Sequence, residues 1–219
     1  MSIKANLEAI QQTIPADVTL VAVSKTKPVA DLQEAYAAGI RDFGENKIQE
    51  MCEKYEVLPK DIRWHMIGHV QTNKVKYMAP FVYLIHGVDS LKLLKEINKE
   101  AAKNNRVIDV LLQVFIADEE TKFGLDATEL EAILSTEIQE LPHVKVVGLM
   151  GMATFTDDEN KIREEFKLLK SLFDQFVPQH PEMKIISMGM SGDYQFAIEE
   201  GSTMVRIGSS IFGHRNYSI

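Results

Sequence analysis

Eight short runs rich in Val and Ile recur along this chain of 219 residues, and between them lie longer segments whose apolar residues return at helical period. The runs are 18–25, 42–45, 64–68, 83–88, 107–116, 144–150, 184–188 and 204–207; the helical segments are 29–38, 47–55, 71–78, 90–104, 127–138, 158–176 and 194–199, with a further one at 3–13 ahead of the first run. Asp31, Ser90, Asp126 and Asp157 lie near helix starts, and Gly39 and Gly201 follow helix ends. Strands alternating with helices make parallel pairs, and eight of them in this length predict an α/β fold: a single closed (β/α)8 TIM barrel with an extra N-terminal helix rather than an open doubly wound sheet. One domain spanning 1–219 is expected, since a chain of this size fills a barrel without a linker.

Such a fold gathers its chemistry at the C-terminal ends of the strands, so the motifs can be sorted by position. Lys25, the GEN of 44–46, the IGHVQTNK of 67–74, the MGMSGD of 188–193 and the RIGSSIFG of 206–213 all fall on that rim. Lys25 ends the first run, where a partly desolvated amine has its pKa lowered and can attack an aldehyde; a surface lysine snorkelling from a strand end is the other reading. Lys27, beside Pro28, is read as the solvated one of the pair.

The two closing loops carry small and polar residues where barrels often hold a phosphate. Ser191 and Gly208, Ser209 and Ser210 are either a phosphate cradle or ordinary turns with N-caps, and their coincidence favours the cradle. Arg206 lies within the eighth run. Facing inward, its guanidinium must meet an anion, a carboxylate or a ring nitrogen. Lysine, cradle and arginine together point to a phosphorylated aldehyde.

Other features exclude more than they suggest. Acidic residues outnumber basic ones to give a net charge of −8, so the field repels polyanions, and neither nucleic acid nor an anionic membrane surface is an expected partner. Cys52 is the one cysteine, which suits a reducing compartment, and no apolar run reaches membrane-spanning length; the expected location is the cytoplasm. His65 and His69 are four apart but on a strand, too far from one another to chelate, so no metal is expected. Glu45, Glu50, Glu199 and Glu200 mostly fall in helices, where such charges usually line a solvated face, and Met150, Met152, Met188 and Met190 read as strand-end packing.

AVSKTKP, FGENKIQE, WHMIGHVQTNK, SMGMSGD and GSTMVRIGSSIFGHR, in this order from Val21 to Arg215, resemble the successive signatures of the pyridoxal phosphate homeostasis (YggS/PROSC) family. The resemblance implies a fold-type III barrel, similar to the N-terminal domain of alanine racemase, carrying pyridoxal 5′-phosphate (PLP) as an imine on Lys25. It further implies phosphate contacts from Ser191, Gly208 and Ser209, Arg206 at the pyridine nitrogen and Asn46 lining the pocket. Val70 stands where many relatives have leucine, and Tyr194 departs from the commoner residue after MSxD.

An arginine at the ring nitrogen leaves it largely unprotonated and mutes the cofactor as an electron sink. A racemase of this fold also takes its second base, a tyrosine, from a C-terminal domain, and no such domain follows the eighth run; Tyr217 is read as a tail residue. The expected function is therefore PLP homeostasis (storage, buffering or delivery of the cofactor, with apo-enzymes as recipients) by a monomer without strong catalytic activity. The alternatives are a PLP-dependent racemase or decarboxylase, and a cofactor-free Schiff-base aldolase, which would need an acid–base partner beside Lys25.

Overall fold

In the computed structural model, which describes residues 2–119 and 123–213, the eight runs form one closed barrel of parallel strands: β1 (Thr19–Val23), β2 (Asp42–Glu45), β3 (Arg63–Met66), β4 (Leu84–Val88), β5 (Ile108–Gln113), β6 (Val144–Met150), β7 (Ile185–Ser187) and β8 (Met204–Ile207). Each pairs with the next in sequence and β8 closes on β1. Around them run α2 (Val29–Ala37), α3 (Ile48–Val57), α4 (Val75–Met78), α5 (Leu91–Lys103), α6 (Ala127–Ser135), α7 (Glu159–Phe176), α8 (Tyr194–Glu199) and α9 (Ser209–Phe212); α1 (Ile3–Gln11) precedes β1.

Side chains cap several of the helices. Ser90 and Asp126 accept from the backbone N–H three residues on, Asp126 in a full capping box with Glu129. α7 is capped by Asp158 rather than Asp157, and Asp31 lies in the first turn of α2, behind Pro28. The fifth strand is shorter than its apolar run: Leu125 N–H donates to the Gln113 carbonyl and Phe115 N–H to the Leu125 carbonyl, so a returning segment takes over the ladder. The run 127–138 breaks at Thr136 and resumes as a 3-10 turn, Glu137–Glu140.

Alternation along the strands separates two apolar layers. Phe43, Trp64, Met66, Ile85, Val110 and Leu112 face the helices and join the large outer core with Leu32, Met51, Leu94 and Phe166. Val21, Leu84, Leu111, Val147, Met150 and Met204 form a smaller cluster inside the barrel. The register Val21↔Arg206, Ser187↔Met204, His65↔Leu84 and Asp42↔Arg63 puts several polar residues on that same inner face. Barrels usually fill this space with branched apolar side chains.

Candidate functional site

β1 ends at Val23, two residues before Lys25. Ser24 still donates its N–H to the Gly44 carbonyl, but the chain then turns, with Lys27 N–H reaching back to the Ser24 carbonyl at 3.1 Å and Thr26 held at φ +62. Lys25 is thus the half-buried apex of a tight turn, not the last strand residue. A left-handed threonine is strained, and the neighbourhood shows what holds it. Glu50 accepts the Thr26 N–H at 2.6 Å, while Lys54 donates to the Ser24 carbonyl at 2.7 Å, to Glu45 at 2.6 Å and to Glu50 at 2.8 Å. Ser24 Oγ donates to Glu45 Oε1 at 2.7 Å.

This ionic clamp corrects the solvated reading of the acidic residues: Glu45 is fully buried at the end of β2, on the helix side of the sheet, and Glu50 is mostly covered. Burial pushes the Glu45 carboxyl above its usual range, against the pull of Lys54, and its Oε2 has no hydrogen-bond partner among the described residues. Lys27 is not simply solvated either; its ammonium donates to the carbonyls of Phe212 and Gly213 at 3.1 and 3.0 Å, tying the turn to the end of α9.

The closing loops meet this turn. Gly208 N–H donates to Ser191 Oγ at 3.2 Å, bridging the loops after β7 and β8. A Cβ on Gly208 would lie 3.0 Å from the Val23 carbonyl oxygen, a contact tight enough to favour glycine where β8 leaves the barrel beside β1. Ser209 is exposed at the first position of α9, and Ser191 is half-buried. Tyr194, the departure after MSGD, places its hydroxyl 2.7 Å from Thr13 Oγ1 and so fastens α8 to the segment after α1.

Arg206 points into the barrel and is 3% exposed. It donates to Ser187 Oγ and to the Gly151 carbonyl, with no carboxylate in ion-pair contact among the described residues. Burial brings its pKa down to about 10 although the Asp193 charge opposes this. Asn46 follows β2, half-buried, and Gly68 packs so close that a Cβ there would sit 2.4 Å from the Asn46 carbonyl oxygen. Lys25, Asn46, Ser191, Gly208 and Ser209 therefore share one rim, with Arg206 just below it.

The histidines have other partners than a metal. His69 lies 3.2 Å from Asp89 and stacks on Phe123, whereas His65 is fully buried against His86 and Asp42. His86, Ser187 and Asp42 were not singled out from the sequence. Their signal was present only as polar residues at inward positions of adjacent strands, and Lys54 carried no local signal at all.

The alanine racemase N-terminal domain model matches residues 1–216. The pyridoxal phosphate homeostasis protein of Aquifex aeolicus is 44% identical over 200 residues, covering 90% of this chain and 87% of that one; that of Pasteurella multocida is 40% identical over 233 residues, covering all of both. Among solved structures, PipY of Synechococcus elongatus with PLP bound superposes with a TM-score of 0.88 at 34% identity, over 97% of this chain and 100% of that one. With a matching barrel, rim and full-length likeness, this chain belongs to the alanine racemase N-terminal domain family and, within it, to the pyridoxal phosphate homeostasis proteins.

Proposed function

We propose that this protein binds PLP in the barrel mouth and serves PLP homeostasis, storing, buffering or delivering the cofactor without strong catalytic activity. The observation that carries the reading is the meeting of Gly208 with both Val23 and Ser191, which sets the two small-residue loops against the turn bearing Lys25. The donor set suits the group: backbone and hydroxyl donors for a phosphate, an amine for an aldehyde, and for a ring nitrogen a buried guanidinium that has no ion-paired carboxylate among the described residues. The full-length relatives named for this role, and the PLP carried by PipY, support it.

When bound, PLP supplies an aldehyde that condenses with a primary amine and releases water. Lys25 offers that amine from a turn fixed by the Glu45–Lys54–Glu50 clamp. Ser191, Gly208 and Ser209 would hold the phosphate, and Asn46 would line the wall. Arg206, a donor only, would face the ring nitrogen and leave it unprotonated, which would mute electron withdrawal by the bound cofactor. The proposed setting is a cytoplasmic monomer that passes PLP to apo-enzymes.

Borohydride treatment of the PLP-loaded protein followed by peptide mapping tests the reading. The fixed adduct is expected on Lys25 and is expected to vanish in Lys25→Ala; an adduct on another residue removes Lys25 from its role. Incubation with L-amino acids should give no racemisation or decarboxylation, and robust turnover of any of them would restore the enzyme reading.

A further inference from the structure

A continuous polar file crosses the apolar interior of the barrel beneath Arg206. The guanidinium donates to Ser187 Oγ on β7; Ser187 Oγ lies 2.9 Å from His86 Nδ1 on β4; His86 Nε2 lies 2.8 Å from His65 Nδ1 on β3; and His65 Nε2 lies 2.9 Å from Asp42 Oδ1 on β2. Arg63 closes the file with two 2.8 Å hydrogen bonds to Asp42. Ser187, His86 and His65 are fully buried. The lower end opens on a groove of about 360 Å³ at the N-terminal face of the barrel, lined by Leu20, Ile40, Arg41, Asp42 and Arg63.

Both ends of the file are fixed in sense. An arginine can only donate. At the other end, burial would raise the Asp42 carboxyl, but hydrogen bonds from Arg63 and His65 and the Arg63 charge outweigh it and hold its pKa below the usual carboxylate value, so at neutral pH it can only accept. The hydroxyl hydrogen of Ser187 has one acceptor within reach among the described residues, His86 Nδ1, because its other neighbour is the guanidinium. His86 must then carry its proton on Nε2 and donate to His65 Nδ1, which leaves His65 Nε2–H to donate to Asp42. Each ring nitrogen and the serine hydroxyl then meets a partner of the opposite kind, and Asp42 Oδ1 accepts from both His65 and Arg63.

The other ordering needs an imidazolium at His65 that donates both to Asp42 and to His86. His86 would then donate from Nδ1 to Ser187, stranding the serine hydrogen in a dry core, where an unmade hydrogen bond costs about 1–3 kcal/mol. Of the charged groups around the pair, Asp42 faces His65 and is itself paired with Arg63, and Arg206 lies above His86; Tyr83 is the ring beside His65, 5.5 Å between centroids. Burial, with the Arg206 charge above it, holds the His86 pKa well below the ordinary histidine value.

We propose that Ser187, His86, His65 and Asp42 are positioning residues that hold the Arg206 guanidinium from behind in a hydrogen-bond relay of fixed polarity, running from Arg206 down to Asp42 through two neutral Nε2–H imidazoles. The part of this that concerns the cofactor rests on the PLP reading above. Through Arg206 the relay fixes which donor the ring nitrogen meets, and so the electronic state of the bound chromophore. It also connects the cofactor mouth to the opposite face of the barrel.

The polarity is tested on the cofactor-free protein, whatever it binds. Long-range proton–nitrogen NMR spectra of the 15N-labelled chain at pH 7, assigned with His65→Asn and His86→Asn, are expected to show both imidazoles as neutral Nε2–H tautomers. A doubly protonated His65, or an Nδ1–H tautomer at either residue, overturns the relay. Its effect on the site is read with Ser187→Ala loaded with PLP: affinity about tenfold weaker, as for one hydrogen bond to a charged group, and a shifted visible band, with the borohydride adduct still on Lys25. An adduct on Lys25 with unchanged affinity and unchanged band refutes the positioning role. If the native protein forms no Lys25 adduct, the PLP reading fails while the tautomer result still decides the polarity. Should Ser187→Ala not fold, the native tautomers alone decide between relay and no relay.

Discussion

Replacing Lys54 by methionine separates the ionic clamp from the packing around it, because methionine keeps most of the lysine stem's volume. The Lys54 ammonium is 6% exposed and the Glu45 side chain 0%, so the substitution leaves a carboxylate buried with one donor, the Ser24 hydroxyl, where it had two. Orphaning one partner of a buried ion pair costs about 3–5 kcal/mol. The loss depends on pH with a definite sign. Burial already raises the folded-state pKa of Glu45, and without Lys54 it rises further. A carboxyl whose folded pKa lies above its unfolded value favours the folded state below the unfolded value, about 4.3, and loses that advantage as pH climbs through the folded pKa. Urea unfolding followed by circular dichroism should therefore show the full deficit near about pH 8 and a smaller one near about pH 5. Glu45→Gln added to Lys54→Met should recover much of it, since the unpaired charge is gone. A deficit under about 1 kcal/mol, or one equal at both pH values, would mean that the clamp is not what holds the Lys25 turn.

Crowding the two closing loops with Ser191→Leu or Ser209→Leu should weaken PLP by about tenfold or more, the order of an overpacked contact, while unphosphorylated pyridoxal is barely affected; titration with both ligands checks this, and equal losses would dissolve the cradle. Asp42→Asn should remove about 2 kcal/mol of stability at neutral pH, the worth of a carboxyl held at about 2 when its ordinary value is 3.8. Because that pKa is depressed by folding, the native contribution is present above about pH 4 and fades as the pH falls toward about 2. Acid unfolding curves of native protein and variant should thus converge at the acid end, and parallel curves would contradict the Asp42 assignment.

The architecture was legible in the chain because its determinants are local. Val- and Ile-rich runs and helical-period runs, the Ser90 and Asp126 caps and the glycines at 39 and 201, both at positive φ, mark the eight strands and α1 to α8 without knowledge of their neighbours, whereas the four-residue α9 carries no such mark. Once a closed barrel is fixed, strand ends define a rim, so Lys25, Asn46, Ser191, Gly208 and Ser209 could be gathered from sequence alone. Arg206 could likewise be placed within the eighth strand, and the fold turns it inward.

Tertiary structure decided what surrounds those residues. Glu45 and Lys54 lie nine residues apart, and helix-period reasoning gives the acid to a solvated face; only the packing of α3 on the end of β2 turns the pair into a buried clamp on the turn at Lys25. Lys27 reads as a surface charge until α9 returns to offer it two carbonyls. His86 and Ser187 are 101 residues apart, brought together inside the barrel by closure of the sheet. Local periodicity sets which way a side chain faces, but the identity of what it meets depends on closure, and a hydrogen bond exists only when both partners arrive.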